Sequence, residues 1–413
     1  MSLTWLGGGI FLVTYLLISA RRLELIGLDR PALAFAGAVA YVVCGILSPE
    51  EALAAVNAET LLLLFSVMGM GCFLALDGFF EHVAVLLTAL ASTPARLLAA
   101  IVWGSGLMAM FITNDAVCIL GAPLVVRLIE CYRLPALPFL LALASGANTG
   151  SVATLIGNPQ NMLCGLLGGL AYRDFFETMG PLAVASLAVN HVWLWWLFRR
   201  ELYGSGKFSS WPTRGGNLHR VALTLVVIAM TVIAYWSGAD LAWTAAAGFA
   251  ALMLLHRRDT RQLWPLIDWS ILLFFAGLFI VVAGLMASGL PQQLFARFSL
   301  SGLASDTMGL AILAAVFCAG SNLVSNVPFI LLIQPQMVSL SDPRLGWELL
   351  AMTSTFAGNL TLLGSVANVI VAEAGQKVGG IGFWSHLRLG LPLTLTTVAL
   401  GTLWLSWRHN LLF

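Results

Sequence analysis

Residues Gly146 to Asn161 read GANTGSVATLIGNPQN, and residues Gly358 to Asn368 read GNLTLLGSVAN. Both lie inside apolar stretches, 137–165 and 347–372, that would otherwise cross a bilayer as unbroken helices. A helix broken at membrane depth must bury its freed amides and carbonyls in protein or turn them to a wet cavity, because each one left in hydrocarbon costs several kcal/mol. Two further apolar stretches, 95–130 and 306–335, are interrupted by Thr113-Asn114-Asp115 and by Ser325-Asn326-Val327-Pro328. Each is expected to form a hairpin of two short helices with a polar tip. The same rule requires all four breaks to meet.

The rest of the chain sets these breaks in a membrane. Hydrophobic residues make up 60% of the 413 and charged residues only 9%, against about 25% charged in soluble domains. Eight more apolar stretches of spanning length lie near 3–20, 31–48, 60–80, 179–198, 220–237, 240–256, 269–289 and 387–407. The expected fold is an all-α polytopic membrane protein in contact with a lipid bilayer. A net charge of +1 gives no field for nucleic acid. The six cysteines form no CxxC pair, and neither a disulfide framework nor a metal site is expected. No cofactor is expected.

Residues 201–218, ELYGSGKFSSWPTRGGNL, are the longest polar stretch and divide the chain into a first repeat (1–200) and a second (219–413). Gly37 matches Gly248, Gly78 matches Gly289, Asn114 matches Asn326 and Asn148 matches Asn359, at offsets of 211, 211, 212 and 211. Each half would hold five crossings plus one re-entrant hairpin, and an odd number of crossings inverts the second copy relative to the first. With both termini outside, periplasmic in a Gram-negative cell, sixteen of the twenty Lys and Arg residues fall on the inner side, including Arg21, Arg22 and the linker. The linker is then cytoplasmic.

Candidate binding residues are the polar members of the four breaks: Thr113, Asn114, Asp115, Asn148, Thr149, Thr154, Gly157, Asn158, Asn161, Ser325, Asn326, Asn359, Thr361, Gly364, Ser365 and Asn368. In each hairpin the Asn is expected at the amino cap of the second helix, with Pro328 in the first turn. Helix amino ends offer free amides to an anionic or oxygen-rich passenger, and unwound carbonyls suit a small hard cation, so no Lys or Arg is required. If sodium is the coupling ion, its oxygens would come from Asn114 and Asn158 or from Asn326 and Ser365. Asp115, the acid most deeply set in apolar sequence, is the candidate proton- or cation-linked carboxylate, and Val327 stands at its place in the second repeat. Asp77 and Glu373 are expected on solvated helix ends. Cys118, Cys164 and Cys318 lie near the breaks and are expected to act as buried apolar groups.

The paired signatures ITNDAVCILGAP with GANTGSVATLIGNPQN, and NLVSNVPFILL with AGNLTLLGSVANVIV, resemble the ion transporter superfamily over nearly the whole chain. The Gly-x-x-x-Asn endings, Gly157 to Asn161 and Gly364 to Asn368, are the most specific elements. Within that superfamily the chain is most similar to the anion permease branch related to arsenite permeases, which also holds citrate and dicarboxylate transporters and sodium/proton antiporters. The resemblance implies an inverted repeat, a homodimer and an elevator-like motion. The sodium-coupled dicarboxylate branch carries Ser-Asn-Thr at both tips. Here the tips read Thr-Asn-Asp and Ser-Asn-Val, which favours proton or cation exchange.

Three transport functions follow. The first is export of a small anion or metalloid, such as arsenite or antimonite, in exchange for protons. The second is sodium-coupled uptake of a carboxylate or inorganic anion, and the third is sodium/proton antiport at Asp115. A soluble ATPase partner is left open, since the chain has no GxxxxGK[ST] loop of its own. An intramembrane enzyme would need a second central acid or a nucleophile pair, and none stands near Asp115. A channel is the remaining alternative.

Overall fold

In the computed structural model the described residues are 3–19, 28–202, 217–297, 300–301 and 303–409. Arg21, Arg22 and most of the linker, 203–216, lie outside them. The described residues are helical throughout, without strands. In the first repeat the helices are α1 (Leu3–Ser19), α2 (Arg30–Val43), α3 (Pro49–Ala54), α4 (Ala58–Leu76), α5 (Phe79–Leu90), α6 (Pro94–Ala109), α7 (Asn114–Tyr132), α8 (Ala136–Gly150), α9 (Pro159–Gly168) and α10 (Tyr172–Phe198). In the second they are α11 (Leu218–Trp236), α12 (Leu241–His256), α13 (Trp269–Ala287), α14 (Leu290–Arg297), α15 (Thr307–Val324), α16 (Asn326–Met337), α17 (Pro343–Ala357), α18 (Val366–Ala374) and α19 (Phe383–Arg408). Among the described residues seven helices are long and apolar enough to cross a membrane, including α4, α10, α11, α13, α15 and α19.

The duplication is visible element by element. Helices α4, α5 and α10 begin 211 residues before α13, α14 and α19. Gly78 and Gly289, immediately before α5 and α14, have φ of 81° and 76°, a conformation that glycine adopts without a Cβ penalty. Gly37 and Gly248 both sit against a threonine, where an added methyl would stand 2.5 Å from Thr14 and 2.4 Å from Thr231. Packing between the copies is reciprocal: α2 lies on α13 as α12 lies on α4, α7 meets α18 as α16 meets α9, and α10 meets α19. A two-fold relation between the copies produces this pattern.

The register is not uniform, and here the sequence reading needs correction. Both ends of α8 and α17 are 207 residues apart, as are Gly157 and Gly364, and Asn161 and Asn368. The 12-residue α16 is shorter than the 19-residue α7, which removes residues ahead of α17. The segment between α18 and α19, with a 3-10 turn at Gly375–Val378, restores the offset of 211. The counterpart of Asn148 is therefore Thr355. Asn359 lies beyond the end of α17, in the break itself.

Candidate functional site

The broken helices open where the sequence places helix breakers. Helix α8 ends at Gly150, and α9 begins at Pro159 behind Asn158, whose side chain accepts from the Asn161 amide at 2.8 Å. Helix α17 ends at Ala357, and α18 begins after Ser365. The carbonyls freed by the breaks are collected by one asparagine in each copy. The Asn161 amide donates to the Ser151 and Thr154 carbonyls at 3.1 and 2.9 Å, and the Asn368 amide to those of Gly358 and Thr361 at 2.8 and 3.1 Å. Four bonds at the same register explain the repeated Gly-x-x-x-Asn ending.

Each copy then grips the other. Asn148 donates to Asn368 at 2.8 Å and to Asn359 at 3.3 Å, and its oxygen accepts from Ser365 at 3.0 Å and from Asn114 at 2.8 Å. In the opposite sense, the Thr355 hydroxyl donates to Asn161 and accepts from Asn158, both at 3.0 Å. Thr149 accepts from Asn359 at 3.1 Å. These residues are at most 2% exposed apart from Ser365 at 7%, so each bond replaces one that water could otherwise make.

The hairpin tips dock on the same breaks. The Asn114 backbone amide donates to the Gly157 carbonyl at 2.9 Å, and the Asn326 side chain to the Gly364 carbonyl at 3.2 Å. Thr154 donates to Met110 at 2.8 Å, as Thr361 donates to Asn322 at 3.4 Å. The caps differ from the expected ones. Thr113 caps α7, accepting from Ala116, and Ser325 precedes α16 without a side-chain cap bond, while Asn114 and Asn326 are the first helical residues. Pro328 does fall in the first turn of α16.

A cavity of about 350 Å³ joins the two tips. Its wall carries Asn114 and Asp115 from hairpin one, Ser321, Asn322, Ser325 and Asn326 from hairpin two, Gln160 from α9, and Thr361, Gly364 and Ser365 from the second break. Phe274, Phe275, Leu323 and Leu363 supply apolar surface. Asp115 also meets the second repeat, because α7 packs on α18 and sets the carboxylate beside Ala367 in the first turn of that helix. Ser365 makes no cap bond to α18, whereas Asn158 caps α9 within its own repeat, so the acid without a twin stands beside the uncapped helix. Asn148, Thr149, Thr154, Gly157, Asn158, Asn161, Asn359 and Asn368 hold the breaks together behind the wall. Among the oxygens considered for sodium, those of Asn114 and Asn158 already accept from backbone amides, at 2.9 and 2.8 Å.

Four residues escape a search for paired Asn, Ser and Thr. Arg30 lies on the cavity wall, although no basic side chain was required there. Gln160 lies inside the quoted GNPQN run, but its counterpart is Ala367, so the duplication does not single it out. Thr355 is hidden by the change of register. His386, 2% exposed, bonds through its ring nitrogen to the Asn359 carbonyl at 3.0 Å. Cys118, Cys164 and Cys318 are not among the residues lining the cavity.

Away from the cavity, Asp77 is 2% exposed rather than solvated, whereas Glu373 is exposed. Asp77 ends α4 and meets His256 at 2.9 Å, Arg258 at 3.4 Å and the Thr224 hydroxyl at 2.8 Å. The second imidazole nitrogen of His256 faces the Leu252 carbonyl at 3.2 Å.

Comparison with known proteins agrees with this architecture. The silicon efflux transporter LSI3 of Oryza sativa subsp. japonica is 29% identical over 96% of both chains. A putative transporter arsB of Dictyostelium discoideum is 24% identical, covering 91% of this chain and 86% of that one. The crystal structure of the Alcanivorax borkumensis YdaH transporter superposes with a TM-score of 0.55 over 99% of this chain and 98% of that one, at 13% identity, which is a likeness of fold. Residues 15–357 match the sequence model described as citrate transporter, CitMHS. The chain therefore belongs to the citrate transporter (CitMHS) family of the ion transporter superfamily, a family of multi-pass membrane transporters and not of enzymes.

Proposed function

We propose that the chain is a secondary transporter that exports a small metalloid hydroxide or oxyanion, of the arsenite, antimonite or silicic acid class, in exchange for protons. The observation that carries this reading is the shared cavity, in which both hairpin tips and Asp115, the one carboxylate on its wall among the described residues, face one space large enough for a small hydroxylated solute. The names of two relatives, a silicon efflux transporter and a putative arsB transporter, support the cargo class. Asp115 supplies the proton site: charged, it caps α18, and protonated, it loosens that contact between the copies. With the amino terminus outside, the amino ends of α2 and α19, whose Arg30 and Phe383 line the cavity, lie on the cytoplasmic side, the loading side for an exporter. Alternating access then moves the hairpins and broken helices as a unit against α1–α4 and α11–α13.

Reconstitution into proteoliposomes tests the reading. An imposed proton gradient should drive arsenite, antimonite or silicic acid against its own gradient, and a sodium gradient alone should not. Flux driven by sodium alone would remove proton exchange. A second reading, sodium-coupled uptake of a carboxylate, draws on Arg30 at the cavity wall and on the family description. Citrate accumulation in the same vesicles would establish it instead.

A further inference from the structure

At each of the two places where a hairpin meets the broken helix of the opposite copy, the two-fold relation sets a hairpin residue against the second residue of a helix. At one, the hairpin residue is Asp115, whose carboxylate stands beside Ala367 of α18. At the other, α16 carries Val327, which has no acceptor, and α9 carries Gln160. Among the described residues the Gln160 side chain has no hydrogen-bond partner, and nothing accepts from its backbone amide. Gln160 is nevertheless only 6% exposed and lines the cavity together with Asp115. Its polar atoms are not sealed in protein but open to the cavity, so an oxygen supplied by a passenger can bond there in place of water.

We propose that Gln160 is the specificity-determining side chain of the cavity, and that it holds the passenger in its uncharged, fully hydroxylated form. This deepens the cargo reading given above and rests on it. A carboxamide both donates and accepts, and so does a hydroxyl on arsenic or silicon. One hydroxyl oxygen accepts from the side-chain NH2 of Gln160. A second hydroxyl donates to the Gln160 carbonyl oxygen, and a third can reach Asp115. A fully ionised oxyanion has no hydrogens to give, and it would face the Asp115 carboxylate in a confined space.

The test uses full-length protein in proteoliposomes, with arsenous acid and silicic acid as probes at neutral pH and phosphate as the ionised control. Gln160→Ala should raise KM for both hydroxides by about tenfold, the factor for one lost hydrogen bond of about 1.4 kcal/mol, and leave kcat within about twofold. Gln160→Glu should raise KM further at neutral pH and recover part of the loss in mild acid, where a protonated carboxyl again donates and accepts. Gln160→Met, of similar volume, should behave as Gln160→Ala does and replaces it if the smaller side chain fails to yield monodisperse protein. Wild-type KM values in these variants would overturn the role of Gln160 while leaving the cargo reading intact. Transport of phosphate in preference to both hydroxides would overturn the uncharged form. Wild-type vesicles that move none of the probes would defeat the cargo reading itself, and this inference with it, before any variant is made.

Discussion

Hairpin one lies almost backbone to backbone against its own broken helix, and hairpin two does not. A methyl group added at Gly150 would stand 2.2 Å from the Gly106 carbonyl oxygen, and one added at Gly146 would stand 2.8 Å from that of Val102. Thr353 and Ala357 occupy those two places in the second repeat, so α15 and α17 are held apart by side chains. The tips follow suit. Thr113 and Asn114 are each 2% exposed, whereas Ser325 is exposed, and its φ of 66° is a strained value for a residue with a Cβ. Duplication has preserved the plan and let the tightness diverge: one hairpin packs backbone to backbone on its helix, and the other is spaced from it by side chains.

Substitutions at the paired glycine site should break this comparison most visibly. Gly150→Val is expected to abolish folded protein, read as loss of the monodisperse peak in detergent, because backbone on both sides must move. Ala357→Gly should cost only about 1 kcal/mol, a drop of a few degrees in Tm. Equal effects would mean that the two hairpins are equally fused. The asparagine bridge gives the next contrast. Asn148→Ala strands four buried partners and should destabilise by about 3 kcal/mol or more, whereas Thr355→Val strands two and should cost about 1–2 kcal/mol, both read as thermal shifts.

Asp115→Asn sharpens the comparison at the tips. The amide is isosteric and needs no counter-charge, so the fold should survive, while proton-driven flux falls by about tenfold or more and loses its pH dependence. Wild-type flux with an unchanged pH profile would reduce Asp115 to a helix cap. The smallest effect is expected at the far end of α17, where Glu348 stands in place of Leu141 and bonds to His409 at 3.2 Å. The hydrogen bond to Glu348 raises the His409 pKa. Its contribution is therefore complete below the unfolded value of about 6.5 and is lost as pH rises through the higher folded value. His409→Gln should lower Tm slightly near pH 6, and the difference from wild type should close in alkali.

The sequence carried the four breaks, their convergence and the hairpin tips, because a polar run in an otherwise apolar crossing is conspicuous and hydrocarbon leaves it one remedy. Helices α3, α5 and α14 were not expected. They are too short to cross, and a search for spans passes over them. Thr355 was missed because a constant offset was assumed across a segment whose shorter α16 changes it. Gln160 and Arg30 were missed for a different reason: they are unpaired between the copies, and pairing was the signal being followed. Asp77 looked solvated because it ends a helix. Its burial depends on Thr224, His256 and Arg258, all more than a hundred residues later in the chain.

The reciprocal grip also dictates an order of events at the ribosome. Asn148 enters the bilayer more than two hundred residues before Asn359, Ser365 and Asn368 have been made. At translation rates of about 5–20 residues per second, the newborn first half waits about 10 to 40 seconds with its central amides unanswered. During that interval it is an unfinished membrane protein exposed to quality control, and a transcript truncated at the linker would yield a product fit only for degradation.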